Sequence, residues 1–174
     1  MTEVTFVLGG CRSGKSSHAL ALAADRIGAE NCFIATCVPY DDEMQDRVRR
    51  HQQERGKDWR TVDAPLELSE AVEKHAETAD VMIVDCLTLW MNNLIMEDLS
   101  DEAVFEKVEA LKSALEKVQC PVFLVSNEVG TGIVPENRLA RRFRDLTGFA
   151  NQRVAVFADQ VIWMVAGIPV RIKG

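Results

Sequence analysis

Eight consecutive residues, Gly9-Gly10-Cys11-Arg12-Ser13-Gly14-Lys15-Ser16, spell the G-x-x-x-x-G-K-[ST] pattern of a phosphate-binding loop. The chemistry explains the residue types. Glycine lets the chain bend sharply and approach a ligand closely. Successive backbone N–H groups, with the positive end of a following helix, cradle phosphate oxygens. Lys15 would then reach the β- and γ-phosphates, and the Ser16 hydroxyl would ligate Mg²⁺. The loop stands in the context it needs, between the strand-like run Val4-Thr5-Phe6-Val7-Leu8 and the helix-like run His18-Ala19-Leu20-Ala21-Leu22-Ala23-Ala24. Together these features imply a protein that binds a nucleoside triphosphate.

Further candidates follow from where apolar runs end, because ligands of a parallel sheet collect at the carboxyl ends of its strands. Asp85 follows Val81-Met82-Ile83-Val84 and fits the second Mg²⁺-binding carboxylate of phosphate-loop proteins, although a turn residue would look the same. Glu128 follows the strand-like run that ends at Val125. It either orients a nucleophile or substrate hydroxyl or is a turn residue. Backbone groups at Ile34-Ala35-Thr36 end another run and could meet the nucleotide. On a polar helix expected over Asp41 to Glu54, Met44, Arg47, Val48, His51 and Arg55 share one face. That places an imidazole between guanidinium groups able to gather phosphates. A neutral histidine can attack an α-phosphorus to form a phosphoramidate; spacing alone equally allows a solvated surface histidine. His18 and His75 lack such surroundings.

Segments of strand and helix character alternate along the chain, which indicates an α/β fold with a largely parallel sheet in one domain spanning residues 1–174. Strands are expected at Cys32–Thr36, Trp59–Val62, Val81–Val84 and Pro121–Val125, with a helix over Leu66–Glu77. Ser100 is expected to cap a helix whose inner face is Val104, Val108, Leu111, Leu115 and Val118. Pro135 is expected to open a long helix with Leu139, Phe143, Leu146, Ala150, Val154 and Phe157 facing inward. Val161–Val165 and Val170–Ile172 suggest a closing hairpin that turns near Ala166-Gly167, with Pro169 on an edge strand.

Composition narrows the partners. The chain has 174 residues and a net charge of −7, which argues against a nucleic-acid coat protein. Two arginine-rich groups, at residues 47–60 and 138–153, are compatible with polyanionic small molecules, and solvated helix faces would look the same. The five cysteines form no C-x-x-C pair and read as reduced thiols, so a cytoplasmic location without a signal peptide is expected. The longest apolar stretch, Val161 to Val170, is too short to span a bilayer.

Taken whole, the sequence resembles the adenosylcobinamide kinase / adenosylcobinamide-phosphate guanylyltransferase family of cobalamin biosynthesis. The resemblance is carried by residues 9–16, by Ile34-Ala35-Thr36, by Asp41-Asp42-Glu43-Met44 with His51, and by Trp59-Arg60-Thr61. Its most specific part is the block from Asn127-Glu128-Val129-Gly130 through Ile133-Val134-Pro135-Glu136-Asn137-Arg138 to Arg141, with Asn151-Gln152-Arg153 beyond. The resemblance implies a bifunctional enzyme with a RecA-type phosphate-loop fold, assembled as a homotrimer. It would phosphorylate adenosylcobinamide with ATP or GTP, then transfer GMP from GTP to adenosylcobinamide phosphate. The family's guanylylated histidine falls on His51. Its nucleotide contacts fall on Gly9, Gly10, Cys11, Arg12, Ser13, Gly14, Lys15 and Ser16, on Ile34, Ala35 and Thr36, on Gln52, Gln53, Glu54 and Arg55, and on Asp63 and Asp85. Cys11 replaces a frequent alanine, and Asp63 a frequent glutamate one methylene longer. With no N-K-x-D box in the chain, guanine preference rests on the resemblance. The alternatives from the residues alone are a small-molecule kinase with an inert His51, or a triphosphate-driven switch module.

Overall fold

A computed structural model describes residues 3–174, with the side chains of Arg47 and Glu54 outside that description. The chain runs β1 (Val4–Gly9), α1 (Lys15–Ala24), β2 (Asn31–Ala35), α2 (Asp42–Arg55), β3 (Trp59–Asp63), α3 (Leu68–His75), β4 (Val81–Asp85), α4 (Leu87–Met96), α5 (Asp101–Leu115), β5 (Val122–Asn127), α6 (Arg138–Phe157), β6 (Gln160–Val165) and β7 (Ile168–Lys173). The strands form one sheet in the order β3-β2-β4-β5-β1-β6-β7. Every pairing is parallel except the closing β6–β7 hairpin.

Strands buried on both faces must be apolar on both, and β1 shows the rule: Phe6 and Val7 point oppositely and both are fully buried. Phe6, Ile34, Val84 and Leu124 face a large core built with α3, α4, α5 and α6. Val7, Phe33, Ile83 and Val125 face a smaller one under α1, through Ala19 and Ala23. Most expected elements appear with small shifts at their ends. Ser100 caps α5 by accepting from Ala103 N at 3.2 Å, and Val104, Val108, Leu111 and Leu115 are buried. Ala166 and Gly167 turn the hairpin, both with positive φ (51° and 82°), as its tight two-residue turn requires. Pro169 lies on the exposed edge strand.

Two expectations are corrected. The long helix does not open at Pro135 but at Arg138, because Asn137 caps it by accepting from Ala140 N at 3.1 Å. The carbonyls of Pro135 and Glu136 instead take hydrogen bonds from the Arg141 guanidinium (3.0 and 2.6 Å). Leu139, in that first turn, is exposed. The second is α4, which the sequence did not announce. It is apolar nearly all round, with Leu87, Trp90, Met91, Leu94 and Ile95 buried, so no amphipathic period marks it.

Candidate active site

The phosphate loop joins β1 to α1 at the carboxyl edge of the sheet. Arg12 and Gly14 take left-handed conformations (φ 53° and 89°), and Gly14 is the N-cap of α1. Lys15 is buried and its Nζ donates to the carbonyl of Gly10 at 2.7 Å, which folds the ammonium back over the loop. Neighbouring strands brace the loop from behind. Glu128 N donates to the Gly9 carbonyl (3.0 Å), and Gly167 N to the Ser13 carbonyl (3.2 Å).

Register aligns the acids. Asp63, Ala35, Asp85, Val125 and Val7 form one row across β3, β2, β4, β5 and β1. Side chains one strand apart in a row share a face, so Asp63 and Asp85 flank Ala35 on the same face as Phe33 and α1. Arg55 reaches over this spot. Its guanidinium lies 3.5 Å from the Phe33 ring centroid and donates to Thr61 Oγ1 at 3.3 Å. Burial lowers the Arg55 pKa, and the charges of Asp85 and Asp63 oppose that shift. The guanidinium is therefore held near both acids.

Thr36 locks two strand ends together. Its hydroxyl donates to the Cys86 carbonyl (2.7 Å) and accepts from Cys86 N (2.9 Å). Asn93, buried on α4, donates its amide to the carbonyls of Thr36 (2.8 Å) and Pro65 (2.9 Å). The Cys86 thiol is pushed up to about 12, by burial first and by the Asp85 charge second, with Lys15 pulling the other way. Lys15 and Asp85 thus act on the same buried atom from the phosphate loop and from the end of β4. A neighbouring network fixes the end of β5: Thr88 Oγ1 accepts from Asn127 N (2.6 Å), Ser126 Oγ donates to Asn151 Oδ1 (2.8 Å), and Asn151 Nδ2 donates to the Asn127 carbonyl (3.0 Å).

Helix α2 forms the opposite wall. Asp41 caps it by accepting from Met44 N at 2.7 Å. Met44, Val48, His51 and Arg55 are half-buried, the face expected from their spacing. His51, Arg50 and Glu43 line a cavity of about 320 Å³ together with Arg12, Ser13, Gly14, Lys15, Ser16 and Ser17. A separate cavity of about 160 Å³ between α5 and α6 holds none of the expected site residues.

The expected residues therefore divide. The loop residues 12–16 and His51 share a cavity; Arg55, Asp63 and Asp85 gather around the ends of β2, β3 and β4. Ile34 is fully buried in the larger core on the other face, so it positions Ala35 and Thr36 rather than presenting a side chain. Gln52 and Gln53 are exposed on α2, and Glu54 falls outside the described side chains. Glu128 closes a turn: its Oε1 accepts from Gly130 N at 2.6 Å. In the sequence, Arg50 and Glu43 stand out only within the arginine-rich group and the Asp41–Met44 block, and Asn93 and Thr88 go unmarked. Arg50 directly precedes His51 and Glu43 lies about two turns before it on the same helix; Asn93 and Thr88 show only as polar residues inside apolar runs.

The donor set fits Mg²⁺ held jointly with a nucleotide. Among the described residues no group of three or more His, Cys, Asp and Glu could cage a metal. Ser16 lies in the first turn of α1 and Asp85 ends β4, which leaves most of the shell to phosphates and water, as Mg²⁺ prefers.

Comparison with known proteins agrees with this geometry. The model of the cobinamide kinase / cobinamide phosphate guanyltransferase family matches residues 5–172. The bifunctional adenosylcobalamin biosynthesis protein CobP of Pseudomonas aeruginosa is 40% identical over 168 residues, covering 97% of this chain and 96% of its own. The bifunctional protein CobU of Escherichia coli is 38% identical over 179 residues, covering 96% and 98%. A solved ATPase domain, 10% identical, superposes with a TM-score of 0.51 over 92% of this chain and 68% of its own, a likeness of fold alone. Among the described residues no helix is long and apolar enough to cross a membrane. By its sequence over nearly its full length, the chain belongs to the cobinamide kinase / cobinamide phosphate guanyltransferase family.

Proposed function

We propose that this protein phosphorylates the aminopropanol hydroxyl of adenosylcobinamide with ATP or GTP, then transfers GMP from GTP to the product through a covalent intermediate on His51. The observation that carries the reading is the shared cavity, with His51 on one wall and Lys15 and the phosphate loop on the other. In the kinase step the loop's backbone N–H groups hold the phosphates, and Lys15 neutralises charge developing on the β- and γ-phosphates. Its hydrogen bond to the Gly10 carbonyl holds the ammonium over the loop where those phosphates would lie. Mg²⁺, with Ser16 and Asp85 as its protein ligands, would supply charge neutralisation across the phosphates.

In the transfer step His51 attacks the α-phosphorus of GTP. A P–N bond forms, the bond to the oxygen bridging the α- and β-phosphorus breaks, and pyrophosphate leaves with the electron pair. The proton on the other ring nitrogen passes to water. A phosphate oxygen of adenosylcobinamide phosphate then attacks the same phosphorus, the P–N bond breaks, and the ring regains a proton from water as it leaves as neutral imidazole, giving adenosylcobinamide-GDP. Thr36 and Arg55, with Asp63 beside them, would contact the nucleoside end of the GTP. The resemblance that suggests these steps also suggests a homotrimer, and five cysteines that form no C-x-x-C pair suit a cytoplasmic setting.

Incubation with α-³²P-GTP and Mg²⁺ tests the covalent step. Acid-labile, alkali-stable label is expected on the wild-type chain and absent from His51→Ala, which keeps kinase activity. An unlabelled wild type would leave a kinase with an inert His51.

A further inference from the structure

The basic side chains of α2 have different fates. Arg49 is held by Asp46, and Arg55 is committed to the Phe33 ring and the Thr61 hydroxyl. Arg50 instead lines the cavity beside His51. Neighbours on a helix diverge by about 100°, so both can face one cavity only where the helix edge runs along it. Glu43 lines the same cavity. Seven residues span two turns and about 10 Å of axis, so the cavity extends along α2 and is not confined to one turn.

The charges are placed unequally. Arg12 and Lys15 belong to the loop wall, where the phosphates farthest from the nucleoside would be held. Among the described side chains, Arg50 is the cavity cation contributed by the helix that also carries His51. An in-line attack places the departing pyrophosphate on the far side of the α-phosphorus from the imidazole. A group next to the attacking ring therefore lies beside the non-bridging oxygens of the α-phosphoryl group, not beside the leaving oxygen. We infer that Arg50 is a catalytic residue of guanylyl transfer, binding those non-bridging oxygens while His51 attacks. This rests on the covalent role given to His51. Its guanidinium would offset the negative charge that repels an incoming nucleophile, a duty the γ-phosphoryl transfer does not ask of it.

The experiment is rapid-quench labelling with α-³²P-GTP and with the two diastereomers of GTPαS, on wild type, Arg50→Gln, Arg50→Lys and Arg49→Gln. Arg50→Gln is expected to slow labelling of the polypeptide about 10²-fold, and kinase kcat by much less. Arg50→Lys should recover part of the loss. One GTPαS diastereomer should slow the wild type strongly and Arg50→Gln hardly at all, a signature that mere displacement of α2 would not produce. Arg49→Gln should match the wild type in both reactions. Labelling by Arg50→Gln at the wild-type rate, an equal loss in both reactions, or an unaltered thio effect each overturns the assignment to Arg50. An unlabelled wild type refutes the covalent role of His51 itself.

Discussion

The tightest point of the phosphate loop is Gly9, and adjacent glycines there make a matched pair of substitutions. An alanine Cβ at Gly9 would lie 2.6 Å from Ser13 Oγ, 2.7 Å from the Met164 carbonyl oxygen and 3.0 Å from Met164 Cβ. Ser13 could rotate away. Met164 cannot, because it sits opposite Gly9 in the β1–β6 ladder. The backbone must therefore shift, an overpacking cost of about 2 kcal/mol. For a chain of this size that corresponds to a melting temperature lower by about 4–8 °C. At Gly10 the same Cβ meets nothing within 4 Å, and φ is not positive there. Gly10→Ala should hold or slightly raise the melting temperature, by roughly 0.4–1 kcal/mol of reduced unfolded-state entropy. Differential scanning calorimetry without nucleotide reads both. Titration calorimetry with a non-hydrolysable GTP analogue should show Gly9→Ala binding at least about tenfold more weakly, or 1.4 kcal/mol. Equal destabilisation by the two substitutions would refute the steric account and place the demand for glycine elsewhere.

Other outcomes follow from single contacts. Asn93→Leu strands the buried carbonyl of Thr36 and the part-buried carbonyl of Pro65 and should cost about 3 kcal/mol, measured by urea unfolding. Ser100→Ala removes the cap of α5 and should cost about 1 kcal/mol in the same measurement. Timed iodoacetamide labelling read by mass spectrometry should modify exposed Cys11 first and spare Cys32, Cys86 and Cys120, whose burial pushes them up to about 11, 12 and 11. His75 is pulled below its ordinary 6.5 by burial, then by Arg60 and Lys74, with Glu30 opposing. Between that lowered value and 6.5 the unfolded chain binds more protons, so stability falls as pH drops below about 6.5. His75→Gln should flatten that part of a pH–melting curve.

How far the sequence reveals the molecule depends on the range of the signal. The phosphate loop is legible because all its determinants lie within eight residues and two flanking elements. The inner face of α2 is legible for a similar reason: 44, 48, 51 and 55 follow helical spacing, and those residues are half-buried. Helix α4 is not legible, since a helix buried all round has no polar face to define a period. The start of α6 is misread because proline at residue 135 looks like a first-turn residue, while the true cap, Asn137, is declared by its hydrogen bond to Ala140 N. Register is long-range information, too. That Asp63 and Asp85 flank Ala35 depends on β2 lying between β3 and β4, a fact no local pattern carries.

The same topology separates stability from chemistry. Most of the core lies on the face covered by α3, α4, α5 and α6, and the phosphate-loop helix α1 covers the smaller core opposite. Among its described side chains, helix α2 adds none to either core and leans on the protein through four half-buried ones, so the residues that set it apart are those of the cavity. Substitutions at Arg50 or His51 should therefore change labelling rates while leaving the melting temperature within about 2 °C, the reach of a surface change of about 0.5 kcal/mol. Large melting shifts in those variants would mean that α2 bears fold stability after all, and its kinetic effects could then no longer be read as chemistry.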